Sequence, residues 1–219
     1  MMVRGGDRRE AILQAALARF ARYGFRRTSM EDIAREADIS RAAVYLHFKN
    51  KEEIFRALAR QLHEQALAAA AVAAQAPGPI ETRLRRILEA KVASMFDVVH
   101  GSPHAAELLD ENNRICGDIS AESARRYLQL LTSVVAAAVR RQELAPRRAG
   151  LSPGGAAEMI VQCAEGIKTM GAAALTPDVY RRRLDQFVRV VVAGLGGGGA
   201  QSAGLQTRRS HLSSKEERA

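Results

Sequence analysis

The chain has 219 residues, 47% of them hydrophobic but only 5% aromatic and none of them Trp, a composition suited to Ala- and Leu-packed helices. Two cysteines, Cys116 and Cys163, are too few and too far apart for a disulfide framework or a CxxC metal site. The net charge is +9, and residues 1–60 carry 13 Lys and Arg against 8 Asp and Glu, so the positive field gathers at the N-terminal end.

The opening MMVRGGDRRE has charge without an apolar core behind it, and Arg4, Arg8 and Arg9 form a basic arm. Arg8 to Tyr23 then places Ile12, Leu13, Ala16, Leu17 and Phe20 on one helical stripe, which Gly24 ends. Ser29 caps a helix starting at about Met30, with Asp32 three positions on to answer from the first turn. Ile33, Ala34 and Ala37 face one side before the pattern stops at Asp38-Ile39-Ser40, where Asp38 is one of the few residues that tolerates left-handed backbone angles. Ser40 caps a second helix, Arg41 to about His47, that turns Val44 and Phe48 inward. Arg41, Ala42, Ala43, Tyr45 and Leu46 are left facing out, and a cation, small residues and an aromatic let such a helix sink into a DNA groove. Two short helices joined by three residues have the form of a helix-turn-helix; the bland alternative is a hairpin in an ordinary bundle. Asn50 and Lys51 open a long connecting helix with Ile54, Phe55, Leu58 and Leu62 on its buried face.

Over residues 8 to 62 the chain resembles the tetracycline-repressor (TetR) family of bacterial transcription regulators. Gly24-Phe25, Thr28-Ser29, Ile33-Ala34, Ala37-Asp38-Ile39-Ser40, Val44-Tyr45, His47-Phe48 and Lys51-Glu52 carry the likeness. Carried over by position, the resemblance implies phosphate contacts from Thr28, Ser29, Tyr45, His47 and Lys51, with Arg41, Ala42 and Ala43 nearest the base edges. Asp38 stands where the family usually has Gly, and Ala42 where it often has Gly or Pro, which leaves Arg41 as the only long polar side chain for direct base readout.

Pro77-Gly78-Pro79 ends the connecting helix, and further helices are expected at about 80–99, 104–112, 118–142, 154–174 and 177–195. Breaks fall at Gly101-Ser102-Pro103, Cys116-Gly117, the Pro146 to Pro153 loop and Thr176-Pro177. Residues 196–219 begin with four Gly and lack any apolar period, so a disordered tail is expected. Met95, Phe96, Val99, His100, His104, Leu108, Asn112, Asn113 and Cys116 mix soft apolar surface with a few polar groups, as a small-molecule pocket does. Met159, Gln162, Cys163, Glu165, Gly166 and Met170 offer a second such face; for each of these residues plain core packing is the competing reading. His100 and His104 stand four apart across a helix break that would keep both rings from one metal, so no metal and no other cofactor is expected. Small residues at 154–157, 166 and 171–174, with an apolar stripe of Tyr180, Leu184, Phe187, Val188, Val191, Val192 and Leu195, suggest a two-fold contact through residues 154–195.

The resulting expectation is an all-α protein with a helix-turn-helix domain at 1–62 (reader 29–48), a helical ligand-binding and dimerisation domain at 63–195, and a tail at 196–219. Its partners would be double-stranded DNA, a second copy of itself and a small apolar effector; it would be cytoplasmic, with no membrane attachment, since the longest apolar run, Ala66–Ala74, covers nine residues. The function expected is a ligand-responsive dimeric regulator, a repressor of a palindromic operator, rather than a non-specific nucleoid-type DNA-binding protein or an enzyme. Effector, operator and target genes are not legible.

Overall fold

Helix boundaries fall where capping residues stand. The computed structural model describes residues 5–99, 102–169 and 176–196, with side chains at 8–91, 102–167 and 176–196. His100, Met170, residues 171–174 and the tail beyond Gly196 lie outside the described residues, as do the side chains of Met95, Phe96 and Val99.

The first helix, α1 (Gly5–Tyr23), starts a turn before the expected Arg8 and buries Ile12, Leu13, Ala16 and Phe20. Gly24 ends it at φ +84°, its N–H donating to the Phe20 carbonyl at 2.9 Å. A side chain there would be doubly penalised, because a Cβ would lie 2.5 Å from Glu107 Oε2. The second helix, α2 (Met30–Glu36), opens on a capping box: Ser29 Oγ accepts from the Asp32 N–H at 3.2 Å while Asp32 Oδ2 accepts from the Ser29 N–H at 2.9 Å. Asp38 takes φ +53°, so the Ile39 N–H reaches back to the Ala34 carbonyl at 3.0 Å and closes α2 with a left-handed residue. Ser40 caps α3 (Arg41–Tyr45) through the Ala43 N–H at 3.1 Å, and Asn50 caps α4 (Lys51–Gln75) through the Glu53 N–H at 2.8 Å.

Beyond Pro77-Gly78-Pro79 come α5 (Ile80–Val99), α6 (Ala105–Arg140), a 3₁₀ turn (Pro146–Ala149), α7 (Pro153–Thr169) and α8 (Pro177–Leu195). The expected break at Cys116-Gly117 is not a break. Cys116 alone leaves helical angles, at φ −120° and ψ 17°, so two expected helices are one helix with a kink. The kink lets α6 serve two cores. Leu108, Cys116 and Ile119 join the aromatic trio Phe20, Phe25 and Phe55, with ring centroids 5.2–5.7 Å apart, in the core of the N-terminal head. Tyr127, Leu131, Val135 and Ala138 pack instead with α4, α5, α7 and α8. The long α4 makes the same passage, with Ile54, Phe55 and Leu58 in the first core and Leu67, Ala70 and Ala73 in the second. Among the described residues there is no strand, only an isolated bridge between Leu144 and Gly196, and no helix is long and apolar enough to cross a membrane.

Candidate nucleic-acid interface and ligand cavity

Buried Ile33 and Ala34 of α2 and Val44 and Phe48 around α3 fix the two helices against α1, which sets the outward face of α3 rigidly. On that face Arg41, Ala42, Tyr45 and Leu46 are exposed, while Ala43 and His47 are half-buried. The Arg41 guanidinium lies 5.5 Å from the Tyr45 ring centroid, with Nη2 at 3.5 Å from the Tyr45 hydroxyl and Nη1 at 4.0 Å from Glu31 Oε2. Ser29 is exposed at the start of α2, its hydroxyl occupied by Asp32.

Two residues of the expected phosphate set are placed otherwise. Thr28 is 1% exposed and its hydroxyl donates to the Gly24 carbonyl at 2.7 Å, so its side chain closes the α1–α2 turn and has no path to a phosphate. Lys51 Nζ donates to three carbonyls, Phe25 at 2.9 Å, Arg26 at 3.2 Å and Thr28 at 3.1 Å, and sits 4.5 Å from the Phe25 ring centroid. Its three protons are spent inside the protein. Nothing in a linear sequence distinguishes a lysine that reaches outward from one that folds back over the preceding turn.

The head is tied to α6 by charged contacts that sequence reasoning missed. Glu111 is 4% exposed and accepts from Arg26 Nε at 3.0 Å and Arg114 Nε at 2.7 Å; the Arg114 bond, then that from Arg26, holds its carboxyl below the usual range against the opposing effect of burial. Arg114 also reaches Glu52 at 2.9 Å, and Glu107 accepts the Arg26 N–H at 2.7 Å. Arg56 of α4 forks onto Asp118 at 2.8 and 2.6 Å, which brings the Asp118 pKa down to about 2. These partners lie 62 to 85 residues apart in sequence, so only the fold brings them together.

Between α4, α5, α6 and α7 lies a cavity of about 380 Å³. Leu62, Leu67, Ala124 and Val161 give it apolar walls; His63, Lys91, Asn112, Asn113, Ser120 and Glu165 give it polar ones. Lys91 Nζ pairs with Glu165 Oε1 at 3.1 Å, and Ser120 Oγ lies 3.4 Å from Asn112 Nδ2 and 3.5 Å from His63 Nε2. Burial first, and the Lys91 charge second, push the His63 pKa down and keep the ring neutral. A smaller apolar cleft of about 60 Å³, lined by Leu17, Leu58 and Leu108 among others, shares Asn112 with it.

Of the expected pocket residues, Asn112, Asn113 and Glu165 line the cavity and Leu108 the small cleft. Met95, Phe96, Val99, His100 and Met170 lie outside the described side chains, and the described remainder is placed elsewhere. Cys116 is fully buried in the head core, and Met159, Gln162 and Cys163 face outward on α7, whose opposite side supplies Val161 and Glu165. His104 precedes α6, with Nδ1 3.6 Å from Glu107 Oε2, and lines neither space. Of the apolar stripe of α8, Tyr180, Leu184 and Val188 are buried within the subunit, while Phe187, Val191, Val192 and Leu195 are half-buried against the same core. Among the described residues no group of three His, Cys, Asp or Glu could hold a metal.

A three-helix head that exposes a short helix beside a turn, joined to a helical body with a cavity, has the form of a helix-turn-helix head on a helical body. Residues 12–58 match the family described as "Bacterial regulatory proteins, tetR family". The HTH-type transcriptional regulator SrpR of Pseudomonas putida is 31% identical over 147 residues, 63% of this chain and 64% of that protein. Two solved structures share the fold: SmeT, the repressor of the Stenotrophomonas maltophilia multidrug efflux pump SmeDEF (TM-score 0.62, 23% identity, 90% of this chain and 94% of that one), and the fatty acid degradation regulator FadR from Bacillus halodurans (TM-score 0.65, 15% identity, 91% and 99%). The N-terminal segment is thus similar to the DNA-binding part of that family, and the curated relatives that it matches are named as transcriptional regulators. The chain spans less than two thirds of the length of the curated relatives it matches, 64% for SrpR and 21% for the probable acrEF/envCD operon repressor of Escherichia coli.

Proposed function

We propose that the protein is a dimeric repressor that reads a two-fold symmetric DNA site through α3 and releases it when a small molecule enters the cavity. The observation that carries the reading is the outer face of α3, where Arg41, Ala42, Tyr45 and Leu46 stand exposed on a backbone locked by buried Val44 and Phe48. Apart from the contacts of Arg41 with Tyr45 and Glu31, that face stands open among the described residues, and a positive N-terminal end favours approach to phosphates. Ser29, Tyr45 and His47 take the backbone contacts, with Arg41 nearest the base edges. Relatives named as repressors, LfrR of Mycolicibacterium smegmatis and the probable acrEF/envCD operon repressor, favour repression over activation.

The effector is a neutral amphiphile, more polar than the mostly apolar molecule expected from sequence. The cavity volume of about 380 Å³ suits a small molecule, and its charges cancel between Lys91 and Glu165, so a neutral compound with an apolar body and one or two hydrogen-bonding groups meets Asn112, Ser120 and His63 at least cost. Asn112 and Ser120 flank the Cys116 kink, so an occupant that bonds both shifts the segment whose Glu107 and Glu111 hold the head. The second copy covers outward residues of α7 and α8: Met159 and Cys163, four apart, and Val190.

Footprinting of purified protein on genomic fragments tests the reading. Protection of a short defined site, lost on adding a neutral amphiphile, is expected; protection without sequence preference contradicts it.

A further inference from the structure

Leu46 is 83% exposed, the most exposed large apolar side chain described, and it stands on the face that meets DNA in the reading above, on which this inference rests. It follows α3 with helical backbone angles, φ −68° and ψ −25°, so it continues the stripe that begins one turn earlier at exposed Ala42. The adjacent stripe holds Arg41 and Tyr45, engaged with each other and with Glu31. The reading face is therefore split: one edge carries a cation and a phenol, the other is purely apolar. In the major groove the one apolar group on a base edge is the C5-methyl of thymine, whereas the phosphate track offers a leucine no partner. We propose that Leu46, with Ala42 beside it, is a specificity residue that selects thymine at a fixed position of each half-site through contact with its methyl group.

The test separates the methyl from every other feature of the base pair. A site is first selected from a random duplex library, and each thymine in it is then replaced singly by deoxyuridine, which lacks only the methyl. For the unaltered protein we expect one position per half-site where the replacement weakens binding about fourfold, the worth of one methyl group kept from water. In L46A that sensitivity should vanish while sensitivity to the other bases persists, and Tyr45→Phe should retain it. Because Leu46 is exposed, both variants should fold as the parent does, which circular dichroism checks. Equal binding of thymine and deoxyuridine duplexes at every position overturns the inference, as does undiminished deoxyuridine sensitivity in L46A. A protein that enriches no sequence overturns the DNA-reading proposal itself, and this inference with it.

Discussion

Thr28, Arg41 and Lys51 all stand at positions that the family resemblance implies touch DNA, yet their surroundings give them different work. Arg41 is exposed and supports no part of the core, so Arg41→Ala should leave the melting temperature unchanged while costing about 1–3 kcal/mol per half-site and relaxing sequence preference. Lys51→Met does the reverse. It strands three carbonyls at the α1–α2 turn, and a loss of about 1–3 kcal/mol is expected in denaturant unfolding. A Lys51→Met variant of full stability with weakened DNA binding would return Lys51 to the phosphates. Asp118 adds a pH signature. Its pKa falls from 3.8 unfolded to about 2 folded, chiefly through the Arg56 hydrogen bond, so its contribution is present above pH 4 and lost as pH falls toward 2. Asp118→Asn should flatten the stability curve across that acid window and change little at pH 7; an unchanged acid slope would show that the pair contributes nothing.

The elements show which information a sequence carries locally. Ser29 with Asp32, Asp38, Ser40 and Asn50 act through neighbours within five residues, and the starts and stops they specify are the ones found. Pro79 and Thr176-Pro177 mark α5 and α8 in the same way, to the residue. Cys116-Gly117 misled because a weak helix former reads as a stop, whereas burial of Cys116 in one core and Leu131 in the other holds α6 together across the kink. The cavity is half legible: Glu165 is read from the sequence as lining, but the periodicity of α7 alone does not say which face turns inward, and Val161 rather than Met159 lines the space. The ties between head and α6 join residues some 60 to 85 positions apart and leave no local trace. Since Asn112 borders both cavity and kink, Asn112→Leu should preserve affinity for the selected DNA site and abolish its release by a neutral amphiphile, measured by fluorescence anisotropy. Release that persists in the variant would place the coupling elsewhere.

At the scale of the whole molecule the account requires two heads on one duplex. With Tyr180, Leu184 and Val188 buried inside the subunit, a partner would meet exposed Met159 and Cys163 on α7 and Val190 on α8. Arg substitutions at Met159 and Val190 together should yield folded monomers with greatly weakened site binding, seen by analytical ultracentrifugation and titration, because a single head retains half the contacts. The most direct test of the central claim is hydroxyl-radical footprinting of the dimer on its selected site. Two symmetric patches of protection are expected, with half-sites in successive major grooves about 34–36 Å apart or slightly more. Full-affinity protection of one asymmetric half-site, or uniform protection along the duplex, would contradict it.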